Sequence, residues 1–171
     1  MKAALIEKFG GPEVLVYGDM PDPVHGPDEV LVDVHCASVN AADWKGRSGA
    51  YGGTVDFPYI LGRDFSGVIS AVGANVNDLQ IGDAVFGVCD VGQEGAYAEM
   101  IAMKASIIAK KPESLSHEEA AALALTGLTA LVTVEDTLKL QSGETILIQG
   151  GAGGVAGFAV QLAKHIGAPV I

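Results

Sequence analysis

A cluster of glycines near the end of the chain has the residue types and spacing that most clearly predict chemistry. Gly151, Gly153 and Ala156 match the pattern G-x-G-x-x-G/A. The first glycine of this pattern permits a tight turn, the second lets the backbone approach a pyrophosphate, and the small third residue lets a helix pack close to the preceding strand. The amides of the first helical turn then face the ligand at the positive end of the helix dipole. The residues predicted to bind a dinucleotide are Gly151, Ala152, Gly153, Gly154, Val155 and Ala156.

The residues on both sides of this cluster predict the elements that position it. Thr145–Gln149 is a short run rich in branched apolar residues, which predicts a β-strand, and Phe158–His165 has helical periodicity. Gly167 is predicted to end the helix and Ala168–Ile171 to begin a second strand. The alternative, a glycine-rich turn that only packs a helix on a strand, is less favoured because the strand and the helix stand in the required order.

Composition and charge argue against several classes of partner. The 171 residues are 49% apolar and 18% charged, which is typical of a compact folded protein. A net charge of −11 repels nucleic acid and anionic membrane surfaces, so we predict neither as a main partner. The longest uncharged span, Thr145–Ala163, contains five glycines and two glutamines and is therefore a poor membrane helix.

Two further features predict a cytoplasmic location. Glu7 and Lys8 interrupt the N-terminal apolar residues before the hydrophobic region of a signal peptide could form. Cys36 and Cys89 are the only cysteines, and they form no C-x-x-C pair. Such a small number of cysteines is most simply explained by a reduced, cytosolic protein.

The first part of the chain reads as β structure. Short strands at close spacing, separated by turn signals, are typical of a barrel-like antiparallel domain. A short helical turn is predicted over Asn40–Lys45 and a loop over Arg47–Pro58. The predicted strands are Lys2–Ile6, Val14–Tyr17, Glu29–His35, Asp64–Val72, Ala84–Val88, Ala96–Ala102 and Ile107–Lys110.

The sequence changes character at Lys111–Pro112. Ser116 and Glu119 form the pattern of a helix capping box. An alanine-rich helical stretch is predicted from there to about Leu138, with a break near Gly127. We therefore predict two domains, 1–111 and 112–171.

Several segments of the chain, in the same order, resemble the medium-chain dehydrogenase/reductase superfamily, and within it the zinc-less quinone oxidoreductase branch. The resemblance spans nearly the whole chain. It implies a β-rich, GroES-like partial barrel followed by the start of an α/β Rossmann domain, with NADPH bound in the cleft between them and NADH not excluded. The similar segments are Phe9–Leu15, Ala37–Asp43, Arg47–Tyr51, Leu61–Gly67, Gly82–Val85, Gly127–Ala130 and the glycine cluster.

The resemblance also predicts that no zinc is bound. Zinc-containing members have a cysteine where this chain has Asn40, and a histidine and a glutamate where it has Arg63 and Asp64. Zinc takes thiolate, imidazole or carboxylate ligands, and arginine cannot bind it. We expect Arg63 to turn inward and to pair with Asp43 or Asp64, because a buried guanidinium without a partner is very costly.

The resemblance places Asn40, Tyr51 and Thr129 near the nicotinamide ring and the substrate oxygen. Without a metal, hydride transfer suits an electron-poor small molecule, a quinone or an α,β-unsaturated carbonyl. Asn40 would donate to the developing oxyanion, Tyr51 would donate or stack, and Thr129 would position the nicotinamide. Two alternatives remain: Tyr51 is a surface-loop aromatic, or Thr129 bonds its own helix backbone.

The chain ends in what the resemblance identifies as the second Rossmann strand, whereas full-length members are about twice as long. The residue that distinguishes NADH from NADPH lies about 20 positions beyond the first glycine, close to Ile171. Thr145–Gln149 would then have unpaired edges, so we expect a homo-oligomer or a mobile segment there. A non-catalytic nucleotide-binding or structural protein, and an inactive truncated fragment of a reductase, remain as alternatives.

Overall fold

The computed structural model describes residues 1–171 as two compact units, Met1–Ala122 and Leu123–Ile171. The first unit consists mainly of β-strands, and the second consists of helices around the glycine cluster. The predicted domain division at residue 112 stays a prediction.

Eight strands build the first unit. They are β1 Lys2–Ile6, β2 Leu15–Asp19, β3 Glu29–Ala37, β4 Tyr59–Ile60, β5 Asp64–Val72, β6 Ala84–Val88, β7 Met100–Lys104 and β8 Ile108–Lys110. One sheet has the order β2-β1-β4 and the other the order β7-β3-β5-β6-β8. Every strand pair is antiparallel, as the turn-rich sequence predicts.

In the first unit the predicted strands agree with the structure to within two residues except near β7, and the short strand β4 was not predicted. β5 and β6 have the predicted bounds, whereas β7 begins at Met100 and not at Ala96. The reason is that residues 96–99 cross between the sheets. Tyr97 accepts a hydrogen bond from Ala4 of the first sheet, and Glu99 accepts one from Val34 of the second.

The core of the first unit lies on the five-stranded sheet. Alternation along β3 buries Val30 and Val32 completely, because successive strand residues face opposite sides of a sheet. At Gly67 of β5 an added Cβ would lie 2.1 Å from the carbonyl oxygen of Asp33 on the paired strand β3. This close approach of the two strands therefore requires glycine. The buried members of the core are Val30, Val32, Phe65, Ile69, Val85, Cys89, Ala96, Ile101 and Met103.

The first helices follow local sequence signals. α1 spans Ala41–Ser48 and is longer than the predicted turn. α2 spans His117–Leu131, and the capping box at its start is confirmed by hydrogen bonds in both directions between Ser116 and Glu119. The predicted break near Gly127 is wrong. A glycine inside a helix costs only about 1 kcal/mol, so the helix continues and changes to a π-helix over Val132–Thr137.

The helix running from His117 to Thr137 is, by length and composition alone, apolar enough to cross a membrane. Core helices of globular proteins share this property, so the finding is weak evidence.

The second unit has the start of a Rossmann-type α/β arrangement. α3 spans Gly154–Ile166 and ends at Gly167, which has the left-handed φ of 89° predicted for a helix-terminating glycine. The two predicted strands are reduced to one parallel bridge between Ile146 and Val170. Ile148 adds a 2.9 Å hydrogen bond to the carbonyl of Ile171. Ala130, Val134 and Ala159 form the core of this unit.

Candidate active site

The glycine turn before α3 leaves main-chain amides without side-chain competitors. The amide of Gly153 donates to the carbonyl of Gly150 at 2.8 Å and closes the turn. No side chain caps α3, and no acidic residue lies in its first turn. The first amides of a helix have no partner within the helix, so this terminus has the donor set that a pyrophosphate requires.

The structure assigns the conformational roles of the glycines differently from the sequence pattern. Gly150, which the pattern does not include, has the left-handed φ of 73°. Gly154 provides close packing, because an added Cβ would lie 3.1 Å from Cγ2 of Thr126. Gly153 has a φ of −78°, which any residue adopts. An added Cβ at Gly153 would lie 3.3 Å from the carbonyl oxygen of Gly150, which is a tight contact within the turn.

Asn40 lies at the N-terminus of α1, where it is held from two sides. Its backbone amide donates to Oδ2 of Asp43 at 2.7 Å, and its side-chain amide donates to the hydroxyl of Ser38 at 3.2 Å. The side-chain nitrogen carries two hydrogens, so this bond leaves one for another acceptor. The predicted donor role of Asn40 stays a prediction.

Ser38 connects Asn40 to a completely buried carboxylate. The backbone amide and the hydroxyl of Ser38 both donate to Asp64, at 3.1 and 2.8 Å. Asp64 is 0% exposed. The hydrogen bonds that join Asn40 to Ser38 and Ser38 to Asp64 therefore hold the loop before α1 against the start of β5.

Arg63 turns inward as expected and forms an ion pair with Glu94, while the alternative pair with Asp64 stays a prediction. Nε of Arg63 lies 3.7 Å from Oε1 of Glu94, and the side chains are 16% and 14% exposed. Nη2 donates to the carbonyl of Cys89 at 3.1 Å. The expected ion pair with Asp43 is not formed, because the carboxylate of Asp43 is directed by Asn40 and by the hydroxyl of Tyr97. Sequence reasoning missed Glu94, since nothing local marks it.

These charged groups line a cavity of about 200 Å³ in the first unit. Tyr51 lines it and is 65% exposed, and the ring of Phe9 packs edge-on against Phe57 with centroids 5.2 Å apart. The lining therefore combines apolar and charged side chains. The residues that line the cavity include Phe9, Asp43, Tyr51, Tyr59, Leu61, Arg63, Val91 and Glu94.

Burial shifts the titratable groups around this cavity. Burial raises the pKa of Asp43, although hydrogen bonds from Asn40 and Tyr97 oppose the shift. Burial also raises the pKa of Tyr97, and the carboxylate of Asp43 raises it further. It raises the pKa of the Cys89 thiol to about 12. The Tyr97 hydroxyl and the Cys89 thiol are therefore protonated at neutral pH.

The three predicted catalytic residues occupy different surroundings. Tyr51 lines the cavity, and Asn40 is bonded to the cavity residue Asp43 without lining the cavity itself. Thr129 belongs to the second unit, where its exposed hydroxyl donates to the carbonyl of Leu125 at 2.7 Å. That bond is the local alternative considered for a helical threonine. The catalytic roles of all three residues stay predictions.

A second polar cluster in the first unit escaped sequence reasoning. The buried hydroxyl of Ser66 donates to the carbonyl of Val85 at 2.9 Å and lies 2.7 Å from Nδ1 of His117. A hydroxyl has one hydrogen, so Nδ1 of His117 is the donor in the second bond. The ring of His117 also lies 4.4 Å from that of His35. Burial lowers the pKa of His117, and His35 lowers it further.

The chain contains no group of three or more histidine, cysteine, aspartate or glutamate side chains placed to hold a metal ion. The position of Arg63 is consistent with the prediction of a zinc-free site, since a guanidinium cannot bind zinc. Zinc independence stays a prediction.

The structure combines an antiparallel β unit with a glycine turn and a helix that begin an α/β arrangement, and similarity to known proteins defines the family. Residues 26–113 match the alcohol dehydrogenase GroES-like domain. The chain belongs to the medium-chain dehydrogenase/reductase superfamily, in its quinone oxidoreductase branch. It therefore has a GroES-like domain and the start of a Rossmann-type domain.

Three relatives illustrate the match. The chain is 36% identical to the mouse (Mus musculus) protein named NAD(P)H oxidoreductase RTN4IP1, mitochondrial, over 99% of this chain and 48% of the relative. The quinone oxidoreductase of Coxiella burnetii is 39% identical with a TM-score of 0.90, covering 99% and 55%. The Escherichia coli quinone oxidoreductase, solved in complex with NADPH, is 32% identical with a TM-score of 0.90, covering 99% and 51%. The chain thus spans about half the length of its relatives.

Proposed function

We propose that the protein containing this chain is a zinc-independent, NADPH-dependent reductase of quinones or α,β-unsaturated carbonyls. The observation that carries the proposal is the glycine turn at the start of α3, which offers free main-chain amides in a chain of the quinone oxidoreductase branch. The NADPH complex of the Escherichia coli relative supports the choice of cofactor. The chain itself leaves the choice between NADPH and NADH open.

The glycine turn would hold the pyrophosphate through main-chain amides of residues 151–156 other than that of Gly153, which donates to the carbonyl of Gly150. Further main-chain amide donors come from Ala152 in the turn and from Val155 and Ala156 in the first turn of α3. When bound, a reduced nicotinamide supplies the hydride, and the protein supplies orientation and electrostatic stabilisation. Side chains larger than methyl at Gly151 or Gly153 would occupy the space that the phosphates need.

The side chains of the first unit would act on the substrate. Asn40 has one amide hydrogen beyond its bond to Ser38, and it would donate this hydrogen to the oxygen on which negative charge develops. Tyr51 lines the cavity of the first unit, where its ring would stack on a planar substrate. Thr129 would position the nicotinamide, in competition with its bond to Leu125.

No metal is required for this chemistry, because quinones and enones are electron-poor without a Lewis acid. Arg63, at the position of a zinc ligand in zinc-dependent members, is bonded to the carbonyl of Cys89 and stands beside Glu94. Its charge would stabilise these buried groups in place of a metal.

The location and assembly of the protein are also proposals. We propose a cytoplasmic protein from its sparse cysteines, although the mouse relative is named as mitochondrial. We further propose a homo-oligomer, since Leu147 is 67% exposed, and we propose neither nucleic-acid nor membrane partners, since a net charge of −11 repels both. Sedimentation of the chain tests the homo-oligomer, and a monodisperse monomer would contradict it.

The experiment that tests the function needs a complete nucleotide-binding domain. We would join this chain to the second half of the Escherichia coli relative and follow NADPH oxidation with a quinone. We expect Asn40→Ala to lower kcat by about tenfold or more with little change in NADPH affinity, since an oxyanion donor acts in the transition state. Gly153→Val should abolish NADPH binding.

The exposed Asn77 is a matched control for Asn40, and Asn77→Ala should leave turnover unchanged. Wild-type turnover in Asn40→Ala would remove the proposed role of that residue. NADPH binding without consumption of any quinone or enone would instead support the alternative of a non-catalytic nucleotide-binding protein.

A further inference from the structure

The side-chain amide of Asn40 has a donor end and an acceptor end, and its contact with Ser38 decides which end takes which place. The amide nitrogen carries two hydrogens and the carbonyl oxygen carries none, although the two groups have nearly the same shape. A half-turn of the amide therefore exchanges donor for acceptor. The hydrogen proposed above for the substrate oxygen is the second one on this nitrogen. After the half-turn, a carbonyl oxygen would lie beside the developing negative charge instead.

The hydroxyl of Ser38 has a single hydrogen, and Asp64 accepts it. Oγ of Ser38 donates to this carboxylate and lies 2.8 Å from Oδ1 and 2.9 Å from Oδ2. The backbone amide of Ser38 also donates to Oδ1, at 3.1 Å. Because Asp64 is 0% exposed, loss of a donor to its carboxylate would be costly, and this cost keeps the hydroxyl hydrogen in the bond. The hydroxyl of Ser38 can then only accept a further hydrogen bond.

A hydroxyl that can only accept selects the nitrogen end of the Asn40 amide. Nδ2 of Asn40 lies 3.2 Å from Oγ of Ser38 and donates to it. In the reversed amide, Oδ1 of Asn40 and Oγ of Ser38 would face each other as two acceptors without a hydrogen between them. The buried carboxylate of Asp64 therefore sets the direction of both hydrogen bonds, from Asn40 to Ser38 and from Ser38 to Asp64.

The backbones on both sides of this contact are also held in place. The carbonyl of Ser38 accepts from the hydroxyl of Tyr97 at 3.2 Å. The backbone amide of Asn40 donates to Oδ2 of Asp43 at 2.7 Å. The side-chain bond therefore joins two anchored residues, and the orientation of the Asn40 amide is the freedom that it restricts.

We propose that Ser38 is a positioning residue for the reduction: supported by Asp64, it holds the nitrogen of Asn40 at the place where the substrate oxygen becomes negative. The proposal rests on the proposed function, because it concerns the hydrogen that Asn40 donates in that reaction. Ser38 and Asp64 act through Asn40 and not on the substrate itself. This dependence on Asn40 distinguishes them from residues that only stabilise the fold.

The orientation of the amide can be measured by NMR in this chain without a cofactor. With the nitrogen beside Ser38, a side-chain amide hydrogen of Asn40 should show a nuclear Overhauser effect to the Hβ hydrogens of Ser38. With the oxygen there, both amide hydrogens point away and the effect is absent. We expect the effect in the wild-type chain and its loss in Asp64→Asn. An amide at position 64 can donate to Ser38, which frees the hydroxyl hydrogen for Oδ1 of Asn40.

Turnover of the chimera described above tests whether this orientation matters for the reaction. Ser38→Ala removes the acceptor that selects the amide, and a neutral hydrogen bond favours one arrangement by about fivefold. We therefore expect kcat to fall about fivefold while KM for NADPH is unchanged. Ser38→Thr keeps the hydroxyl and should keep the wild-type kcat. The double variant of Ser38→Ala and Asn40→Ala should be no slower than Asn40→Ala alone, because Ser38 acts through Asn40.

Ser70→Ala is the matched control. The hydroxyl of Ser70 donates to Oδ1 of Asp33 at 2.9 Å, so this variant also removes a serine hydroxyl from a carboxylate. Ser70 lies near the end of β5, whereas Asp64 begins that strand. The kcat of Ser70→Ala should equal that of the wild type.

Three results would overturn the proposal. They are the absence of the Overhauser effect in the wild-type chain, a wild-type kcat in Ser38→Ala, and a further fivefold loss when Ser38→Ala is added to Asn40→Ala. The last result would assign the effect of Ser38→Ala to the fold. The first measurement needs no variant, so the proposal can fail even where a substitution prevents folding.

These results are distinct from a failure of the proposed function. Each of the three leaves the reductase function standing, since the wild-type chimera still consumes the quinone. A wild-type chimera that consumes no quinone or enone would instead overturn the proposed function together with the role of Ser38 in it. The Overhauser effect in the wild-type chain would still report the orientation of the Asn40 amide.

Discussion

Replacing Tyr97 by phenylalanine should reveal how strongly the first unit depends on the hydrogen bond to Asp43. The Tyr97 hydroxyl donates to Oδ2 of Asp43 at 2.9 Å, and Asp43 is 4% exposed. A hydrogen bond to a charged group contributes about 1.5–3 kcal/mol. Because water cannot replace this donor at so buried an oxygen, we expect Tyr97→Phe to lower the free energy of unfolding by about 2 kcal/mol.

The sign of the pH dependence gives a sharper test. Burial raises the pKa of Asp43 above 3.8, so its stabilising contribution is complete below 3.8 and is lost as the pH rises through its folded pKa. The Tyr97 bond is strongest to the ionised carboxylate. The difference between wild type and Tyr97→Phe should therefore be largest at neutral pH and should narrow as the pH falls towards 3.8.

Urea unfolding followed by Trp44 fluorescence measures this difference, because Trp44 is the only tryptophan and follows Asp43 on α1. The matched control is Tyr17→Phe, since Tyr17 is 73% exposed, and it should change stability by less than about 0.5 kcal/mol. A loss that is equal at all pH values would assign the effect of Tyr97→Phe to packing. The absence of any loss would refute the reasoning about the buried carboxylate.

Three further predictions concern other parts of the chain. Gly67→Ala should lower the free energy of unfolding, measured with heat or urea, by about 3 kcal/mol, because its Cβ would lie 2.1 Å from a backbone oxygen. Gly18→Ala is the control, since a Cβ has room there and the free energy of unfolding should hardly change. Equal effects of the two substitutions would contradict the packing argument. Burial lowers the pKa of His117 below 6.5, so the free energy of unfolding should fall as the pH drops below 6.5. His117→Gln should make the free energy of unfolding less dependent on pH in this range. An unchanged pH dependence in this variant would show that His117 is not its origin. Elemental analysis of purified protein should show no stoichiometric zinc, and one zinc per chain would contradict the reading of Arg63.

Features set by neighbouring residues could be predicted from the sequence. The Ser116 capping box and the αL glycine at the end of α3 both depend on contacts within a few residues. The glycine turn belongs to the same group, because its pattern, the strand-like run before it and the helix after it are contiguous.

Features set by tertiary contacts could not be predicted from the sequence. Glu94 stands beside Arg63 although the two are far apart in sequence, and the hydroxyl of Ser66 meets His117 only after β5 and α2 have packed. Tyr97 lay within a predicted strand, yet residues 96–99 cross between sheets, and this crossing places its hydroxyl on Asp43. These polar contacts are therefore a product of the fold.

Hydride transfer from NADPH to a quinone or enone is the central claim, and deuterium labelling tests it most directly. With NADPH deuterated at the transferable position of the nicotinamide, the chimera described above should convert an enone to a product that carries deuterium at the β-carbon. This transfer should slow at least about tenfold in Asn40→Ala and should be lost in Gly153→Val. A product without deuterium, or equal transfer by the wild type and both variants, would contradict the account.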